Sequence, residues 1–326
     1  MPSILESNNA FITSITFSPD GTLVAGGFTN KIIRIWDTRD GRVLKTLHAR
    51  DSVDSVAFSP DGKLLAGGAM DLSVTLWNTS DWSKVHVIQN DTPTSGEIPH
   101  VETLLFAPDG RYLISLSNIF GVEFHSTEDW ELVEFLDIDT RGEGAVSGDG
   151  SYFAVALRGG KSVQIYDLQS LEVVFQPQFE KDSRKHYGLA LSPDGQFLAT
   201  ISTVFDTGLS TLFEIWDISG GNVVRSWTAA GYGGTHVKYS PDGTILALGE
   251  FDVVLWDPQT GEEIQSAKRV LYNPRRTIAH SITALEFSPD GSLIAAGTQF
   301  NEYGAWDVNT GNMLWGRVAT VISLDR

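Results

Sequence analysis

Short runs in which apolar and polar residues alternate recur along the chain: ITSITF at 12–17, VDSVAF at 53–58, VETLLF at 101–106 and ITALEF at 282–287. Period-two patterning over about six residues, closed by turn-forming residues, predicts half-buried β-strands. No stretch carries a helical period beyond ten residues, so the pattern predicts an all-β chain. After each run comes a five-residue string: FSPDG (17–21 and 58–62), FAPDG (106–110), VSGDG (146–150), LSPDG (191–195), YSPDG (239–243) and FSPDG (287–291). One such string is a reverse turn in which proline presets φ and glycine takes the left-handed conformation. Seven copies, spaced 41, 48, 40, 45, 48 and 48 residues apart, make a repeat architecture.

Aligned on the turn, further columns emerge. Two residues before it stand Ile15, Val56, Leu104, Gly144, Leu189, Val237 and Leu285. Eight after its first letter stand Ala25, Ala66, Ile114, Ala154, Ala199, Ala247 and Ala295, as expected where one sheet packs closely on the next. A second signature follows: IRIWD (33–37), VTLWN (74–78), VEFHS (122–126), VQIYD (163–167), FEIWD (213–217), VVLWD (253–257) and YGAWD (303–307). A polar turn and one more β-rich run complete the unit, giving four short strands per repeat.

These motifs resemble the WD-repeat β-propeller family over roughly residues 11 to 317. The resemblance implies one domain over 1–326: a seven-bladed β-propeller of four-stranded antiparallel blades, beginning near 11, 52, 100, 140, 186, 234 and 281. The family's Gly-His pair is missing, with Leu47-His48 the nearest approach. Its turn aspartate survives only as Asp71, with Asn30 in the equivalent place. Hydrophobic packing is therefore expected to hold the blades. The least regular region is expected around Arg141, Gly144 and His125. The fourth blade is expected to be the weakest, because Arg141 and Gly144 displace apolar residues and its turn lacks proline.

A formal charge of −18 argues against nucleic-acid or anionic-membrane partners. With no cysteine, disulfides and thiolate chemistry are excluded. MPSILESNNA lacks a signal-peptide pattern and no apolar run is long enough to span a bilayer, so a cytoplasmic location is expected. GGKS (159–162) lacks the first glycine of a phosphate-binding loop, and DIDTRG (137–142) lacks calcium-loop ligands at Arg141 and Gly148. His48, His100, His186 and His280 are placed at or just before innermost strands, where a propeller hydrolase or lyase could gather them. Their offsets from the turn differ, so no catalytic residue, metal or cofactor is assigned.

The remaining expectation is a non-catalytic scaffold, monomeric or part of a larger assembly, binding an acidic protein or peptide segment. A glycan- or small-molecule-binding module, with Tyr232 and Tyr272 as stacking groups, is the alternative. The connections on one face (b–c and d–a, the top) are long and variable. They carry ten of the 23 basic residues: Arg141, Arg158, Lys161, Lys181, Arg184, Lys185, Lys268, Arg269, Arg275 and Arg276. His186 joins them as a polar residue in a mostly apolar column. On the opposite face four c–d turns place glycine (Gly41, Gly221, Gly261, Gly311) where two place tryptophan. Trp82 and Trp130 are thus candidates for a secondary interface. The ring is expected to close without an outer strand shared between the chain's two ends.

Overall fold

The computed structural model describes residues 10–89, 100–158, 162–177, 179, 185–204, 210–230, 236–249, 252–264 and 282–317. They form seven separate antiparallel sheets in chain order. Six have four strands, and the sixth in sequence has three among the described residues, with an added bridge between Trp256 and Glu263. The innermost strands, one per blade, are Ile12–Phe17, Val53–Phe58, Val101–Phe106, Thr140–Val146, Lys185–Leu191, His236–Tyr239 and Ile282–Phe287. Each neighbours the next, and the last returns to the first. The ring is closed, as the repeat period predicts.

The last blade's outer strand is its own segment, Met313–Arg317, and the first blade supplies Val43–His48. Residues 1–9 lie outside the described residues. The junction between the ends is more than apolar packing: Thr283 Oγ1 donates to Ile12 O (2.6 Å), and Trp315 Nε1 donates to Thr38 O (2.7 Å).

The recurring five-residue string has a second use beside reversing the chain. Its serine hydroxyl donates to its aspartate (Ser18 to Asp20, 2.6 Å; Ser240 to Asp242, 2.6 Å) and accepts the amide five residues on (Leu23 N, 2.9 Å). The Ser18 hydroxyl, then the Thr22 amide, hold the Asp20 carboxyl below its ordinary range. Five of the six turn prolines, all but Pro60, also lean over the glycine of the next blade's turn. A Cβ at Gly21 would stand 3.8 Å from Pro289, at Gly62 3.7 Å from Pro19, and at Gly291 3.5 Å from Pro241. These glycines sit near φ +70°, where other residues are strained. The turns thus form a collar on the bottom face.

The fourth blade is better supported than its sequence suggests. Gly144 does not leave a void, since Leu116 and Phe153 fill the space a Cβ would need (2.8 and 3.2 Å). Its proline-free turn is backed by the next one: Pro193 packs on Gly148, and Asp149 N donates to Pro193 O (2.8 Å). What is short there is the outer strand, only Val173–Phe175.

Blade-to-blade contact in the outer half follows one rule of complementary size. Where the preceding blade's outer strand supplies an aromatic, the c–d turn has glycine: Trp315 over Gly41 and Phe175 beside Gly221. Where that strand offers Lys45, His86 or Glu134 instead, the turn supplies the bulk, as Trp82, Trp130 or Leu171. These three accept positive φ (62°, 66° and 56°) to do so. Strain of about 1–3 kcal/mol is tolerated because each fills a slot that would otherwise be empty.

Gly41→Ala should therefore lower the unfolding free energy by about 1–3 kcal/mol, because its Cβ would stand 2.5 Å from the Trp315 ring. A double-mutant cycle with Trp315→Ala, followed by chemical denaturation, should show strong non-additivity. Simple addition of the two losses would show that the contact is not what sets the size of residue 41.

Candidate functional site

The inner strands enclose a channel with a cavity of about 250 Å³. Its wall is stitched across blades by hydroxyl groups. Thr13 Oγ1 donates to Val53 O (2.5 Å), Val56 N donates to Ser14 Oγ (3.1 Å), and Leu104 N donates to Ser55 Oγ (2.9 Å). The stitch runs from the seventh blade through the third. At the equivalent places the fourth blade has Gly142 and Glu143, and the fifth has Gly188 beside Tyr187, whose side chain lies outside the described residues.

The upper wall of blades two to four is acidic. His100 lies between two carboxylates, with Nδ1 3.2 Å from Asp54 Oδ2 and Nε2 3.2 Å from Glu102 Oε1. Its hydrogen bonds to Asp54, then to Glu102, push its pKa up to about 9, so it is an imidazolium at neutral pH. Glu102 packs on Gly142 so closely that any side chain there would overlap its carboxylate. Glu143 adds a third carboxylate to the wall. Across the channel Lys238 Nζ pairs with Glu286 Oε2 at 2.8 Å. Burial, with the Lys238 charge, pushes His236 down to about 4, leaving it neutral.

Of the four histidines weighed from sequence, the structure describes the side chains of His48 and His100, which stand on different blades. His48 is exposed at the end of the first blade's outer strand, away from the mouth, because the strand before it is the rim of the blade. His280 lies outside the described residues, as does the side chain of His186, whose backbone belongs to the fifth inner strand. Among the described residues no group of three His, Asp or Glu side chains has metal-holding geometry.

Of the proposed basic rim, Arg158 is described in full, and it is engaged. Its Nε lies 2.7 Å from Asp139 Oδ1 and its Nη2 donates to Asn118 O (2.6 Å), tying the fourth blade to the third. Arg141 and Lys185 contribute backbone to inner strands of the fourth and fifth blades. Lys161, Lys181, Arg184, Lys268, Arg269, Arg275 and Arg276 lie outside the described residues. Trp82 and Trp130 are half-buried. Trp82 packs among Ile33, Leu47 and Trp77, and Trp130 stacks on His86 at 5.9 Å. Both fold back across a blade junction.

Sequence reasoning missed the acidic wall. Its signal was a column of polar residues (Thr13, Asp54, Glu102 and Thr283) at the second position of the inner strand, inside otherwise apolar runs.

The family comparison agrees with this geometry. The model of the WD domain, G-beta repeat matches residues 2–37, 41–78 and 272–300. The chain is similar to that repeat over those residues, and its fold is a seven-bladed β-propeller. Propellers of this family are typically protein-interaction scaffolds and generally non-catalytic. In the fifth blade Trp216 Nε1 donates to Thr200 Oγ1 at 3.3 Å, tying the third strand to the second.

His100 generates a pH prediction. Its folded pKa of about 9 lies above the ordinary 6.5, so its stabilising contribution is complete below about pH 6.5 and is lost as the pH rises through 9. Denaturant midpoints compared near pH 6 and pH 9.5 should fall for the wild type more steeply than for His100→Gln. Equal slopes would mean the imidazolium is not held by Asp54 and Glu102.

Proposed function

We propose that this propeller is a non-catalytic scaffold that docks a peptide or protein segment on its top face, with acidic groups of that segment lying over blades four to seven. The observation that carries the reading is a division of charge around the mouth. Asp54, Glu102 and Glu143 make the wall of blades two to four negative, while the sequence pattern assigns ten of the chain's 23 basic residues to strand entries and top connections of blades four to seven. An acidic segment is repelled from the first sector and attracted to the second, so the asymmetry sets orientation as well as affinity. Single exposed ion pairs are worth only about 0–1 kcal/mol, so several must act together. Arginine contacts to carboxylate or phosphate, partly removed from water, reach micromolar affinity of about −8 kcal/mol in sum.

Reversing Arg184, Lys185, Arg275 and Arg276 to Glu together should abolish capture of the native partner from cell extract, with thermal unfolding nearly unchanged. Capture by the wild type should weaken as salt rises through about 0.1–0.5 M. Undiminished capture by the quadruple variant would overturn the top-face reading.

A further inference from the structure

The complementary-size rule has one exception among the described junctions, and it coincides with a cleft. Between the fifth and sixth blades the turn residue is Gly261, so the turn contributes no bulk. The outer-strand position that holds Trp315 in the seventh blade (paired with Ala305) and Phe175 in the fourth (paired with Ile165) is here Arg225, paired with Ile215. The aromatic that covers Gly261 is Trp227, two residues further along the strand. The bottom of this junction is therefore unplugged. A cavity of about 610 Å³ opens there on the bottom face, with Phe197, Ile215, Val224, Tyr239, Pro193 and Pro258 among its walls. Asp194, Asp217 and Asp242 line it as well, against the single cation Arg225.

We propose that this cleft between blades five and six receives an aromatic side chain, flanked by lysine or arginine, from an extended segment of a partner protein. The apolar walls belong to the kind of slot that the chain itself fills with indole or phenyl rings at other junctions. Internal plugs thus define the shape of the ligand. Charge complementarity defines its neighbours: three aspartates to one arginine, on a protein of net charge −18, favour cationic flanks. Asp217 and Asp242 are held below the ordinary carboxylate range, Asp217 by the Gly220 amide and Asp242 by the Ser240 hydroxyl, and so stay charged. An aromatic anchor in a preformed pocket with a charged rim is the usual form of a binding hot spot. This site is on the face opposite the proposed top-face docking surface and does not depend on it.

The test is a titration of the ¹⁵N-labelled full chain with acetyl-Lys-Trp-Lys-amide, acetyl-Lys-Ala-Lys-amide, acetyl-Glu-Trp-Glu-amide and N-acetyltryptophanamide, followed by NMR. The expected result is saturable shifts around Phe197, Val224 and Tyr239 with the first peptide, and binding weaker by about tenfold or more for the other three. Arg225→Trp installs the missing plug while making the rim more negative. It should abolish binding and raise the melting temperature, which separates shape from charge. If that variant does not fold, Val224→Asn, at a half-exposed wall position, should weaken binding by about threefold or more. Shifts located elsewhere, or peptide binding unchanged in Arg225→Trp and in Val224→Asn, would overturn the proposal. So would N-acetyltryptophanamide binding as well as the basic peptide, which would make the cleft a small-molecule site.

Discussion

Each blade of this protein is a small sheet that cannot bury both faces alone, so everything depends on how one blade fills the space against the next. The alanine column shows the constraint at its tightest. Ala25, Ala66, Ala154, Ala199, Ala247 and Ala295 are essentially without solvent exposure, because the second strand of each blade lies directly against its neighbours. Further out the sheets diverge, and the gap is closed by a bulky side chain from one side or the other. The two solutions exclude each other sterically, which is why glycine and tryptophan alternate at one turn position.

The same constraint explains how the ring closes among the described residues, where the first and last blades each hold four strands of their own. Four aromatic rings meet at the seventh-to-first junction: Trp36 stacks on Trp315 with centroids 6.0 Å apart and lies 5.0 Å from Tyr303, with Phe28 alongside. The Trp315 indole is anchored to Thr38 O, and Thr283 reaches the backbone of Ile12. Aromatic contact of this kind adds about 0.5–1.5 kcal/mol per pair beyond area burial.

The fold was legible in the sequence because turn chemistry and strand alternation repeat at one period. Seven equivalent corners share aspartate and glycine, and all but the third, with Ala107, share serine; those residues are local in their effects. The support behind the fourth blade was not legible for the opposite reason. Gly144 and Gly148 look like losses in a column, yet Leu116 and Pro193, from the neighbouring blades, occupy the space. The roles of Trp82 and Trp130 were half legible. Their departure from glycine was visible, but the partners that make it necessary stand about 40 residues earlier, at Lys45 and His86. The acidic wall was written as a polar column that only ring closure brings to one mouth. His48 was placed wrongly because a histidine ending an outer strand and one starting an inner strand are neighbours in sequence but lie on opposite sides of a blade.

Junction filling makes a direct claim about where the ring opens first, and native-state hydrogen exchange read strand by strand is the measurement that reaches it. The account predicts that the inner strands Ile12–Phe17 and Ile282–Phe287 are as protected as Val53–Phe58, and that protection is lowest beside the unplugged slot, in Leu246–Gly249 and Val253–Trp256. Earliest exchange at the seventh-to-first junction, with the fifth-to-sixth fully protected, would contradict it.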